Sequence, residues 1–160
     1  MKEFKSQGSA GLAQVMAKAM ASALVDHLAQ LRTDRPHSVI LVPAPSRPQA
    51  NRERGYSPAR MLATNLAAQL RSRGVSVSVQ SLLSMGSDVK DQAGLSASER
   101  SQNLGGKMTA TQLLTAAKPE QKLILIDDVV TTGATLLEMT RALKRIGLQP
   151  DRFLTFAEAL

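Results

Sequence analysis

Two short, unbroken aliphatic runs constrain the fold of this chain more than anything else in it: VILV (39–42) and the LILI of KLILID (122–127). A strand with one wet face alternates apolar and polar residues. A strand buried on both faces is apolar throughout, the pattern of a parallel sheet covered on both sides. Helix signals alternate with these strands. Residues 9–31 carry apolar side chains at Leu12, Val15, Met16, Ala19, Met20, Ala23, Leu24, Leu28 and Leu31, a helical stripe that TDRPHS breaks. PAPSRPQ, after the first apolar run, reads as a loop by its prolines. Ser57-Pro58 reads as an N-cap with proline at the first helical position, opening a helix through Met61, Leu62, Leu66 and Leu70. GVSVSVQSLL alternates Val75, Val77 and Val79, as a half-wet strand does. Residues 84–107 are polar and glycine-rich, with SASE (96–99) as a capping box. A helix with Leu136, Met139, Leu143 and Ile146 on one face ends in Lys144, Arg145 and a capping Gly147, and RFLTF (152–156) closes as a strand. This order predicts an α/β fold, a parallel sheet with helices on both faces. The 160 residues fit one domain, 1–160, with a core of its own.

Composition excludes several function classes. There is no cysteine, so disulfides, zinc ribbons and thiol nucleophiles are out. No apolar run approaches the roughly 18 residues of a membrane span. The start, MKEFKSQGSAG, has no hydrophobic segment of a signal peptide behind its lysines. The expectation is a soluble, cytoplasmic protein without membrane contact. Net charge is +7, from 20 Lys and Arg against 13 Asp and Glu. That favours phosphorylated metabolites, nucleotides or nucleic acid, against the plainer alternative of a basic surface with no specific partner. The aromatics are Phe4, Tyr56, Phe153 and Phe156, few for a base-stacking platform. His27, near the first apolar stripe, and His37, in a loop, read as structural.

The stretch IDDVVTTGAT (126–135) is where the chemistry concentrates. Asp127 and Asp128 are costly to bury unless paired or hydrogen-bonded. Thr131, Thr132, Gly133 and Thr135 offer a core little apolar bulk. The stretch follows a strand and leads into a helix, and ligands of such sheets bind beyond the carboxyl ends of the strands. A helix N-terminus suits phosphate, Gly133 lets the backbone come close, and threonine hydroxyls add donors. Ionised carboxylates only accept, so they suit a partner rich in O–H groups, such as a ribose. Together these describe a sugar phosphate. A P-loop would need a lysine beside its Ser/Thr, and a dinucleotide fingerprint three spaced glycines; both are missing.

LILIDDVVTTGAT (123–135) resembles the signature of the type I phosphoribosyltransferases. NRERGYSPARMLATNLA (51–67) and DQAGLSASERSQNLGGKM (91–108) narrow the likeness to the ComF branch, from about Phe4 to the C-terminus. The resemblance implies a Rossmann-like fold that binds 5-phosphoribosyl-1-pyrophosphate with Mg²⁺, the metal held through substrate and water. Asp127 and Asp128 would hold the ribose hydroxyls, and Thr131, Thr132, Gly133, Ala134 and Thr135 would wrap the 5-phosphate. PAPSR, with Pro45, Ser46 and Arg47, takes the place of the pyrophosphate loop. Arg52 and Arg54 match basic positions of the first ComF motif. Gln92, Arg100 and Asn103 match the second, in the place of the mobile catalytic loop, and Asp127, Asp128, Arg100 and Gln92 are the catalytic candidates. Arg47, Arg52, Arg54, Lys90 and Arg100 would offset the pyrophosphate charge, and residues 84–104 would close over it.

The likeness has departures. Many ComF relatives carry an N-terminal cysteine-rich zinc module, for which this chain has neither the cysteines nor the length. Ser57 stands where Asn or Asp is more usual after RGY. The chain ends soon after its last strand, implying a small or reduced hood over the acceptor. Three readings stand: a transferase with an unidentified acceptor, a non-catalytic module that binds phosphoribosyl pyrophosphate or a nucleotide, and an accessory in DNA uptake that meets single-stranded DNA or other uptake proteins. A homodimer is a further expectation.

Overall fold

The computed structural model describes residues 10–30, 38–86, 105–111 and 121–158. Four strands form a parallel sheet in the order β2-β1-β5-β6: β1 (Ser38–Pro43), β2 (Ser76–Val79), β5 (Gln121–Val130) and β6 (Arg152–Glu158). Two short strands, β3 (Leu83–Met85) and β4 (Met108–Ala110), pair antiparallel as a separate ribbon. The helices are α1 (Ala10–Gln30), α2 (Pro48–Arg54), α3 (Pro58–Arg71) and α4 (Ala134–Lys144). Among the described residues no helix is long and apolar enough to cross a membrane.

The apolar runs sit in the middle of the sheet, as their lack of alternation requires. Val39 and Leu41 of β1 and Ile124 and Ile126 of β5 face α1 and α3 in one buried cluster. Ile40, Val42, Leu123 and Leu125 face the other way, into a cluster with α4 and the β3–β4 ribbon. Each central strand therefore feeds two cores, and helices lie on both faces as expected. From β1 the chain moves by way of α3 to β2; from β5 it moves by way of α4 to β6, on the opposite side. The order reverses between β1 and β5, and the ligand crevice of an open α/β sheet lies at the carboxyl ends of such a pair.

Several elements differ from the sequence reading. In α1 the buried stripe is Ala13, Met16, Ala17, Met20, Ala21, Leu24 and Leu28, while Val15 is 64% exposed. The helix is apolar nearly all round, so periodicity leaves its inward face undecided. The alanines settle it, because Ala13, Ala17 and Ala21 join Ala63 and Ala67 of α3 in one cluster where the two helices pack. PAPSRPQ is a loop only as far as Arg47; Pro48 then opens the seven-residue helix α2, which Gly55 ends at φ 74°. Proline at the first position and glycine just past the last were the available signals. Ser84 and Met85, read as the start of a loop, are the last residues of β3. His27 Nε2 accepts a hydrogen bond from Arg152 Nε at 3.2 Å, a contact between α1 and β6.

The charged group buried at the ribbon went unread in the sequence. Glu138 of α4 is 6% exposed. Arg141, three residues on, donates from Nε to Oε2 at 2.6 Å and from Nη2 to Oε1 at 2.7 Å. Burial alone pushes the Glu138 carboxyl up, but hydrogen bonds from Arg141 and from the Met108 and Gly106 amides, with the guanidinium charge, outweigh it and hold the pKa below the ordinary value. A depressed folded pKa adds stability above the unfolded value, about 4.3, that is lost as pH falls through the folded one. Glu138→Gln is therefore expected to lower the urea midpoint by a constant amount above about pH 5, with the gap to wild type closing below about pH 4. Parallel midpoint curves down to pH 3 would remove this role.

Candidate functional site

The site is built where β5 outlasts its apolar run. The sequence suggested a strand ending at Asp127, but β5 continues to Val130 because β6 pairs with it all the way, Asp127 opposite Thr155 and Val130 opposite Glu158. The two aspartates are thus fixed in a strand rather than left on a turn. Each carboxylate accepts the next backbone amide: Asp128 N–H donates to Asp127 Oδ1 and Val129 N–H to Asp128 Oδ1, both at 2.9 Å. These bonds set the side-chain directions before any ligand arrives. Asp128 is 4% exposed and Asp127 half-buried.

Beyond Val130 the chain turns through Thr131, Thr132 and Gly133 into α4. Gly133 is the N-cap at φ 73°, the left-handed region that side chains rarely adopt, and its carbonyl accepts Leu137 N–H at 3.0 Å. The cap carries no side-chain bond and the first turn no acid. Ala134 N–H donates to Thr132 Oγ1 at a long 3.4 Å. An N-terminus with weakly engaged amides and no acid in its first turn attracts anions, phosphate above all. A shallow, solvent-open concavity lies here, lined by Asp127 and by Val129 through Leu136. It brings together Asp127, Thr131, Thr132, Gly133, Ala134 and Thr135, while Asp128 lies beneath it, outside the lining.

The loop after β1 reaches the same place by one bond: Ala44 N–H donates to Ile126 O at 2.8 Å, extending the β1–β5 ladder to the residue before Asp127. Pro45, Ser46 and Arg47, which follow, are half-buried and do not line the concavity. Ser46 Oγ lies 3.3 Å from Ser57 Oγ, so the hydroxyl expected to cap α3 meets this loop instead. Arg52 and Arg54 stand in the last turn of α2. Arg52 is exposed, and Arg54 Nε donates to Ala50 O of its own helix at 3.0 Å. The structure does not bring either to the concavity. Gln92, Arg100 and Asn103, with Lys90, His37 and the 96–99 capping box, lie outside the described residues.

Among the described residues no three His, Asp or Glu side chains gather in a way that could hold a metal ion. Asp127 and Asp128 are hard oxygen donors, too few for a dedicated cage. They fit a Mg²⁺ that keeps its waters and is carried by substrate phosphates.

A parallel sheet with helices on both faces and a helix N-terminus opening at its switch point define an α/β domain of the doubly wound kind. The chain belongs to the phosphoribosyl transferase domain family, matched over residues 54–158, and is of the type I class and ComF type. It is 28% identical over 152 residues to competence protein F of Haemophilus influenzae, a match spanning 93% of this chain and 62% of that protein. Its fold resembles the hypoxanthine phosphoribosyltransferase of Trypanosoma cruzi, in a mutant solved as a ternary substrate complex, with a TM-score of 0.56 at 13% identity over 94% of this chain and 78% of that one. A second structure from that organism, solved to study the role of its C-terminal region, gives a TM-score of 0.55 at 13% identity over 94% and 75%.

Proposed function

We propose that this domain binds 5-phosphoribosyl-1-pyrophosphate with Mg²⁺ and transfers its phosphoribosyl group to an acceptor nucleophile, releasing pyrophosphate. The observation that carries the reading is the contiguity of two preset carboxylates with an acid-free helix N-terminus at the β1–β5 switch point. Asp127 and Asp128 accept the ribose O–H groups. Residues 131–135 take the 5-phosphate on the amides of the α4 N-terminus and the threonine hydroxyls. The loop of Pro45, Ser46 and Arg47 receives the pyrophosphate end, with Arg52 and Arg54 adding positive charge behind it. The acceptor's lone pair forms the new bond at the anomeric carbon as the C1–O bond breaks, and that electron pair leaves on pyrophosphate. Mg²⁺ supplies neutralisation of the leaving group. The protein's part is electrostatic placement of a charge-separated transition state, and no covalent nucleophile is needed.

The test is calorimetry with phosphoribosyl pyrophosphate and Mg²⁺, followed by pyrophosphate release against a panel of bases. Binding with release supports the transferase. Binding without release from any base leaves a sensing module, and no binding removes the reading. DNA uptake is the setting suggested by the name of the Haemophilus influenzae relative and by the +7 charge.

A further inference from the structure

We propose that the outer edge of β6 is a homodimer interface, in which β6 pairs antiparallel with β6 of a second copy about a two-fold axis at Thr155. Among the described residues, β6 ends the sheet and pairs on one side only, with β5. The two edges of the sheet are not alike. β2 is four residues long, whereas β6 runs for seven, Arg152 to Glu158, in one constant register with β5. It has no proline, lysine or bulge, the devices that keep an edge strand from pairing. It also carries Phe153 at 62% and Phe156 at 39% exposure.

The directions of the backbone groups decide what this edge offers. The N–H and C=O of Leu123 both turn to Asp151, while the Ile126 carbonyl turns to Ala44 on the β1 side. These directions alternate along a strand, so the odd-numbered residues of β5 bond β6. In a parallel ladder a residue bonds the two that flank its partner. Leu125, opposite Phe153, and Asp127, opposite Thr155, therefore engage residues 152, 154 and 156. The N–H and C=O groups of Phe153, Thr155 and Ala157 are the ones that face outward.

Self-pairing about Thr155 suits every position of the strand. Phe153 lies opposite Ala157 of the second copy, and Thr155 opposite Thr155, as hydrogen-bonded pairs between outward-facing residues. Leu154 lies opposite Phe156, and Arg152 opposite Glu158, in the closer sites between them. Each ring meets a small or aliphatic residue, and each end of the strand meets the opposite charge. Moving the axis to Leu154 would set Arg152 against Phe156 and leave Glu158 beyond the pairing. The strand is thus its own complement in one register, which singles out a second copy of this chain over an unrelated strand. On α1, Ala19 and Ala23 lie in one row with His27, which touches β6, and both are exposed, so small side chains flank the seam. Thr155, at the axis, is the register partner of Asp127, so the two sheets join into one with a candidate site on either side.

The test is analytical ultracentrifugation of the full chain, with cysteine crosslinking to fix the register. Wild type is expected to sediment as a dimer at micromolar concentration. Glu158→Arg sets arginines opposite each other twice per dimer and is expected to weaken association about tenfold or more. Arg152→Glu/Glu158→Arg, which exchanges the charges, should restore it. The chain has no cysteine, so Thr155→Cys can crosslink only to another copy. At the axis its Cα lies about 5.5 Å from its mate, within disulfide range. Phe153→Cys, whose mate lies four residues along the strand and about 13 Å away, should not crosslink. A monomeric wild type overturns the proposal. So does a dimer that Glu158→Arg leaves intact, or a dissociation that the charge exchange does not repair. Where Glu158→Arg does not fold, the cysteines decide: crosslinking of Phe153→Cys as readily as Thr155→Cys rules this register out.

Discussion

Gly133→Val is expected to fold and to lose phosphoribosyl pyrophosphate binding by more than about a hundredfold. Its left-handed φ of 73° costs a β-branched residue on the order of 1–3 kcal/mol. A Cβ built there meets nothing within 4 Å, so the fold itself does not exclude a side chain. The strain has one cheap release: the turn from Thr131 to Ala134 relaxes to negative φ and swings the first amides of α4 off their common target. A phosphate held by several such amides loses them together, and each bond to a charged group is worth about 1.5–3 kcal/mol. Gly147, at φ 79° in the turn after α4, is the control. Gly147→Val carries the same strain at the opposite end of the helix and should lower the melting temperature without touching affinity. Calorimetry beside thermal melts reads both variants. A folded Gly133→Val that binds like wild type would sink the cradle.

What the sequence made legible follows from where the physics is local. VILV and KLILID announced central strands because burial on both faces leaves no room for a polar residue, and both lie at the centre of the sheet. The α4 N-terminus was readable because aspartates, threonines and a glycine are contiguous there. Residues whose role depends on distant partners were not. Val129 and Val130 lie beyond the strand that KLILID marks, and only pairing with β6 carries β5 through them. Ser57 looked like a cap until Ser46 met its hydroxyl across eleven residues of sequence. Glu138 and Arg141 have the spacing of an ordinary surface pair on a helix, and only the fold of Gly106–Met108 onto α4 buries the Glu138 carboxylate between them. Arg52 and Arg54, which the motif assigns to the pyrophosphate end, stand in the last turn of α2 and do not line the 5-phosphate concavity.

The carboxylate pair gives the other large effect. Asp127→Asn/Asp128→Asn is expected to weaken phosphoribosyl pyrophosphate by more than about a hundredfold while leaving stability unchanged or raised. A single Asp128→Asn should cost about 1.5–3 kcal/mol, or roughly ten- to a hundredfold, since an amide oxygen still accepts one hydroxyl but without charge. The two losses compound without being strictly additive, the residues being adjacent. Stability survives because the local bonds do. The bonds from Asp128 N–H and Val129 N–H go to one carboxylate oxygen each, and an asparagine oxygen takes either place. At Asp128, 4% exposed, the substitution also removes the cost of burying a negative charge. Carboxylates kept for the fold would show the reverse, a falling melting temperature with affinity tracking the folded fraction. Isothermal titration with phosphoribosyl pyrophosphate and Mg²⁺, paired with melts of the ligand-free protein, separates the two. A double variant that binds with wild-type affinity would remove the ribose from these aspartates.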